Sequence, residues 1–142
     1  MFTGEYRHTV DDKGRIAVPV KFRAQLAPGS MVSGWFEDCL AIHTKNGWAE
    51  LADKIGSLRF TDPTARDFQR WLFSTATEAG MDKQGRILLP AYLRERTGLT
   101  GEVVLVGSQQ HAEIWAPDRW DAYRTRLDDP KELAKAFEGL GI

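Results

Sequence analysis

The chain has 142 residues, a net charge of −1 at pH 7, one cysteine and three histidines, with 42% hydrophobic and 27% charged residues. That is enough for one ordinary domain or two small units sharing a core, and the composition is globular rather than disordered. With Cys39 alone there is no internal disulfide or thiolate zinc cluster. No apolar run approaches the roughly 18 residues of a membrane span, and the start MFTGEYRH carries no apolar signal core. The expectation is a cytoplasmic protein without a membrane partner.

In chain order, residues 5–10 (EYRHTV) have the β-branched and aromatic content of a strand. DDKG then predicts a type I turn, with Asp11 first and Gly14 left-handed, joining a hairpin to a strand at Arg15–Val18. Pro19 ends that strand and opens a short helix, VKFRAQL, with Phe22 and Leu26 on one face. APGS turns the chain, and MVSGWF and CLAIH read as strands. Thr44 is the expected N-cap of a helix through about Ile55. A helix over TDPTARDFQRWLFSTA follows, with Thr61 or Asp62 as cap and Pro63 just inside.

The same order then recurs. TEAGM leads to the turn DKQG, RILL is a strand, and PAYLRERTG is a helix from Pro90 to a C′ residue at Gly98. EVVLVG and AEIWA are strands, Pro117 opens a helix containing Trp120, and DDPKELAKAFEGLGI is a final capped helix. DDKGRIAVPVKFR (11–23) and DKQGRILLPAYLR (82–94) align at an offset of 71, pairing Asp11 with Asp82, Gly14 with Gly85, Arg15 with Arg86, Pro19 with Pro90 and Arg23 with Arg94. The expected division is a first repeat at 5–51, a bridging helical segment at 52–76, a second repeat at 77–123 and a helical tail at 124–142. A unit of about 45 residues with short strands hardly buries a core alone, so two in one chain predict an intramolecular pseudo-dimer.

Charge follows the repetition. Residues 5–25 hold five basic and three acidic residues and residues 82–96 four and two, which leaves −5 for the rest of the chain. Gly14 and Gly85 are accounted for by a turn needing positive φ. Asp11 and Asp82 are expected to accept hydrogen bonds within their own turns and to face the arginine four residues on. Turn geometry does not require Arg15 and Arg86. Either they are structural ion pairs, worth at most about 1 kcal/mol if exposed, or they offer guanidinium groups to phosphates and base edges. Lys13, Lys83, Arg23 and Arg94 complete two similar basic surfaces, the helical arginines being expected on a solvated face. His8, His43 and His111 have no counterparts in the other copy and no metal-ligand spacing. No grouping for nucleophilic catalysis, P-loop or Rossmann loop is present. Cys39 and the five tryptophans read as core and interface.

These residues resemble the MraZ family of bacterial transcriptional regulators. The resemblance runs over nearly the whole chain and rests most specifically on the doubled Asp-x-x-x-Arg of Asp11–Arg15 and Asp82–Arg86. It implies two SpoVT–AbrB-like repeats forming a swapped-hairpin β-barrel, a mainly β, α+β fold with bridging and C-terminal helices. It further implies a nucleoid-associated, cofactor-free, non-enzymatic regulator that binds double-stranded DNA at the promoter of the division and cell-wall gene cluster, as a homo-oligomer, commonly a ring. Arg15 and Arg86 are then the expected DNA contacts, with Lys13, Lys83, Arg23 and Arg94 in support. The alternative is an oligomeric scaffold whose motif arginines are structural.

Overall fold

The computed structural model describes residues 1–26 and 28–141. Ala27 of the expected APGS turn and the terminal Ile142 lie outside them. Among the described residues, each half contributes four strands and three α-helices in one order. The first half runs β1 (Glu5–Thr9), β2 (Arg15–Ala17), α1 (Val20–Arg23), β3 (Met31–Gly34), β4 (Leu40–His43), α2 (Lys45–Gly56) and α3 (Pro63–Thr75). The second runs β5 (Thr77–Glu78), β6 (Arg86–Leu88), α4 (Ala91–Thr97), β7 (Glu102–Ser108), β8 (His111–Trp115), α5 (Pro117–Leu127) and α6 (Pro130–Phe137). The fold is α+β, as expected.

The two halves interleave. A six-stranded antiparallel sheet has the order β1-β7-β8-β4-β3-β5, and β2 and β6 form a separate two-stranded ribbon. Exchanging each strand for its repeat equivalent turns the larger sheet's order into its own reverse, the signature of a pseudo-two-fold axis. The axis passes between β4 and β8, where Ala41 pairs with Glu113, and through the ribbon, where Ile16 pairs with Ile87. Neither half can form its sheet alone, because β1 needs β7 and β5 needs β3.

The core repeats the symmetry. Ile16 and Ile87, Val18 and Leu89, and Phe22 and Leu93 are equivalent pairs, all fully buried in one cluster drawn from both halves. A second cluster gathers Cys39, Val104, Trp115 and Trp120, as expected for Cys39 and Trp120.

Three local expectations change. β1 and β2 flank a tight turn but do not form an ordinary hairpin. They share only the Val10–Ile16 bridge, and each then pairs with the other half. The strand MVSGWF stops at Gly34, because Phe36–Asp38 form a 3₁₀ turn in which Glu37 and Asp38 take φ of 57° and 59°. The first helix is only four residues, Val20–Arg23. The capping expectations hold. Thr44 accepts from Gly47 N at 2.9 Å, the Asp62 side chain accepts from Thr64 N, and Gly98 ends α4 at φ 68°.

Candidate nucleic-acid interface

The ribbon gathers the repeated motifs. In the first turn Gly14 N donates to Asp11 O at 3.0 Å and Gly14 has φ 81°. In the second Gly85 N donates to Asp82 O at 3.0 Å and Gly85 has φ 76°. Asp11 Oδ1 accepts from the backbone N–H of Lys13 and Arg15, and Asp82 Oδ1 from those of Gln84 and Arg86. Each carboxylate therefore replaces the ladder partners that the tight turn lacks. The other oxygen accepts from Arg15 Nε at 3.0 Å and from Arg86 Nε at 2.9 Å. Both carboxylates are held below the ordinary range, first by the backbone hydrogen bond from the arginine and then by its side chain, against an opposing desolvation.

The arginines thus make the expected local ion pairs, but only through Nε. Each carboxylate fixes its arginine at Nε and does not itself hydrogen-bond the terminal nitrogens. Asp11 Oδ2 also lies 3.9 Å from Arg86 Nη1, so one carboxylate sits between both guanidinium groups. The copies differ here. Arg86 Nη2 donates to Gln84 Oε1 at 2.5 Å, whereas the equivalent of Gln84 is Lys13, which offers no acceptor. Among the described residues, the terminal nitrogens of Arg15 have no protein partner.

Strand alternation sorts the ribbon into two faces. Ile16 and Ile87 point into the core, while Arg15, Ala17, Arg86 and Leu88 lie on the other face. Arg15 stands opposite Leu88, and Ala17 opposite Arg86. Lys13 and Lys83 are exposed in the turns at opposite ends of this short ribbon.

Arg23 and Arg94 are not on a solvated face. Arg23 Nε donates to Val18 O at 2.9 Å and Arg94 Nε to Leu89 O at 3.0 Å, and both side chains are half-buried. Each guanidinium then lies against the turn glycine of the other repeat, Arg94 on Gly14 and Arg23 on Gly85. Sequence reasoning missed this crosswise packing. Its only trace is that arginine and glycine recur together at the same offset. Arg7, counted among the basic residues of the first motif, pairs with Glu102 and Asp121 and adds little free charge.

Sequence reasoning also missed a buried polar pair away from the ribbon. His43 Nε2 lies 2.9 Å from Ser33 Oγ, and that hydroxyl donates to Gly34 O. The imidazole must then be the donor to Ser33. This is opposite to the arrangement that activates a serine nucleophile. No group of three or more potential metal ligands occurs among the described residues, and no helix there is long and apolar enough to cross a membrane.

Fold and ribbon define a strand-exchanged intramolecular pseudo-dimer with a duplicated Asp–Arg turn. A family model described as "MraZ protein, putative antitoxin-like" matches residues 1–71 and 72–138, one match for each half. The chain belongs to the MraZ family. It is 46% identical over 143 aligned positions to a protein of Moorella thermoacetica and 42% identical to one of Herpetosiphon aurantiacus, each alignment covering all of both chains. A Desulforamulus reducens protein is 44% identical over 128 positions, or 90% of both chains. All three relatives carry the name transcriptional regulator MraZ. The family is not a class of enzymes.

Proposed function

We propose that this protein is a sequence-specific, double-stranded-DNA-binding transcriptional regulator that reads DNA with the β2–β6 ribbon. The observation that carries this is the convergence of both motif arginines on one ribbon face with the terminal nitrogens of Arg15 uncommitted. The name of the relatives supports it independently. A B-DNA major groove about 12 Å wide admits a two-stranded β-ribbon. Lys13 and Lys83 at the ribbon ends supply phosphate contacts, and Arg15 and Arg86 address base edges. Arg23 and Arg94 act in support by holding the turns.

The finer reading is a cytoplasmic, nucleoid-associated homo-oligomeric ring on short repeats in the promoter of the division and cell-wall gene cluster. Several ribbons on repeated sites raise apparent affinity by roughly 10²–10⁴ when spacing permits simultaneous binding. A band shift with Arg15→Ala/Arg86→Ala tests the assignment, and unchanged DNA binding by that variant refutes it.

The second reading, an oligomeric scaffold, is favoured by the Asp–Arg pairs themselves, since both Nε groups are structural. It predicts that the same variant loses assembly or fold, seen by size exclusion with light scattering. The DNA-binding reading predicts that assembly survives.

A further inference from the structure

The ribbon's outer face is two-fold symmetric in its arginines but not in the residues beside them. Ala17 and Leu88 are equivalent at the offset of 71, yet one is a single methyl and the other an isobutyl group. Leu88 is 54% exposed, stands opposite Arg15 in the ladder and lies two residues from Arg86 on the same strand face. An exposed leucine by itself is ordinary. This one shares the outer face with both motif arginines, opposite Arg15, whose terminal nitrogens are uncommitted among the described residues, and two residues along the strand from Arg86, which is tied to Gln84.

We infer that Leu88 is a specificity-determining residue that touches the C5-methyl of a thymine on one side of the pseudo-two-fold axis. Of the major-groove base edges, only thymine presents an apolar group, and apolar side chains are what recognise it. At the related position Ala17 has three fewer side-chain carbons. The two half-sites are therefore read unequally, although the two motifs look the same. The inference rests on the DNA-binding reading proposed above.

The test uses the full-length chain and a duplex enriched by it from a random pool, synthesised once with thymine and once with deoxyuridine, which lacks only that methyl. Wild type should bind the deoxyuridine duplex on the order of fourfold more weakly for each recognised methyl group that is removed. Leu88→Ala should bind the thymine duplex more weakly by a similar factor and discriminate less between the two. Single deoxyuridine replacements should place the effect in one half-site. Ala17→Leu, with its change on the same outer face, should add a second thymine-dependent step in the other half-site. Equal discrimination by wild type and Leu88→Ala, or no discrimination by wild type, overturns the inference while leaving DNA binding intact. A wild-type chain that enriches no duplex overturns the DNA-binding reading and this inference with it.

Discussion

The guanidinium of Arg23 lies against Gly85, on the turn of the opposite repeat, so close that a Cβ there would have to displace it, and Arg94 does the same to Gly14. A Cβ on Gly14 would meet Arg94 Cζ at 2.7 Å. Both glycines therefore answer two demands, a positive φ and a close approach. Alanine in such a left-handed position costs roughly 1–2 kcal/mol from the backbone alone, before the arginine is displaced. Gly14→Ala and Gly85→Ala should each lower unfolding stability by at least that amount in urea titrations. The pairing is crosswise, so Gly85→Ala should be less than additive with Arg23→Ala and additive with Arg94→Ala.

The same packing separates holding from binding. If Lys13 and Lys83 bind phosphate, each alanine variant should reduce the slope of log K against log salt by about 0.9. Arg23→Ala and Arg94→Ala should weaken DNA binding with little change in slope, because the phosphate-binding groups shift in position while their number stays the same. Fluorescence anisotropy across a salt series reads both quantities.

His43 gives the fold an acid limit. Burial first, and then the neighbouring His111, push its pKa down to about 4 from the ordinary 6.5. Trp35, Trp48 and His111 surround the ring, and Ser33 takes its hydrogen bond. Between these two pH values the unfolded chain holds the proton and the folded chain does not, so stability rises with pH. The contribution is complete above about pH 6.5, and on the order of 3 kcal/mol is lost on acidification to pH 4. Asp11 and Asp82 act in a lower window. Their depressed pKa values stabilise the fold above the unfolded value of 3.8, and this stabilisation is lost only as pH falls through their folded values. Denaturant midpoints from pH 7 to 4 should fall for wild type and flatten for His43→Gln.

Much of this molecule was legible in its sequence, for reasons that differ by residue. Asp11, Gly14 and Pro19 act locally, so their turn and strand end could be read from composition and spacing. The 71-residue offset carried the pseudo-dimer, and Ile16 and Ile87 pair with each other in one buried cluster drawn from both halves. Strand partners were not legible, since EYRHTV pairs equally well in principle with its own hairpin mate or with β7. The crosswise seats of Arg23 and Arg94 depend on that exchange and were hidden with it. The Ser33–His43 pair has no sequence signature, being set by the pairing of β3 with β4. Leu88 shows in the sequence only as a mismatch with Ala17 between the two repeats.

In the function proposed above, Arg15 and Arg86 read base edges from the ribbon. The decisive quantity is the ratio of affinities for an enriched duplex and a scrambled duplex of equal length, at one salt concentration, for wild type and Arg15→Ala/Arg86→Ala. Each well-placed bidentate pairing supplies about 1–3 kcal/mol of discrimination. The predicted result is a ratio reduced by roughly 10² or more in a variant that keeps wild-type assembly and weak binding to scrambled DNA. An unchanged ratio would show that these arginines do not read bases.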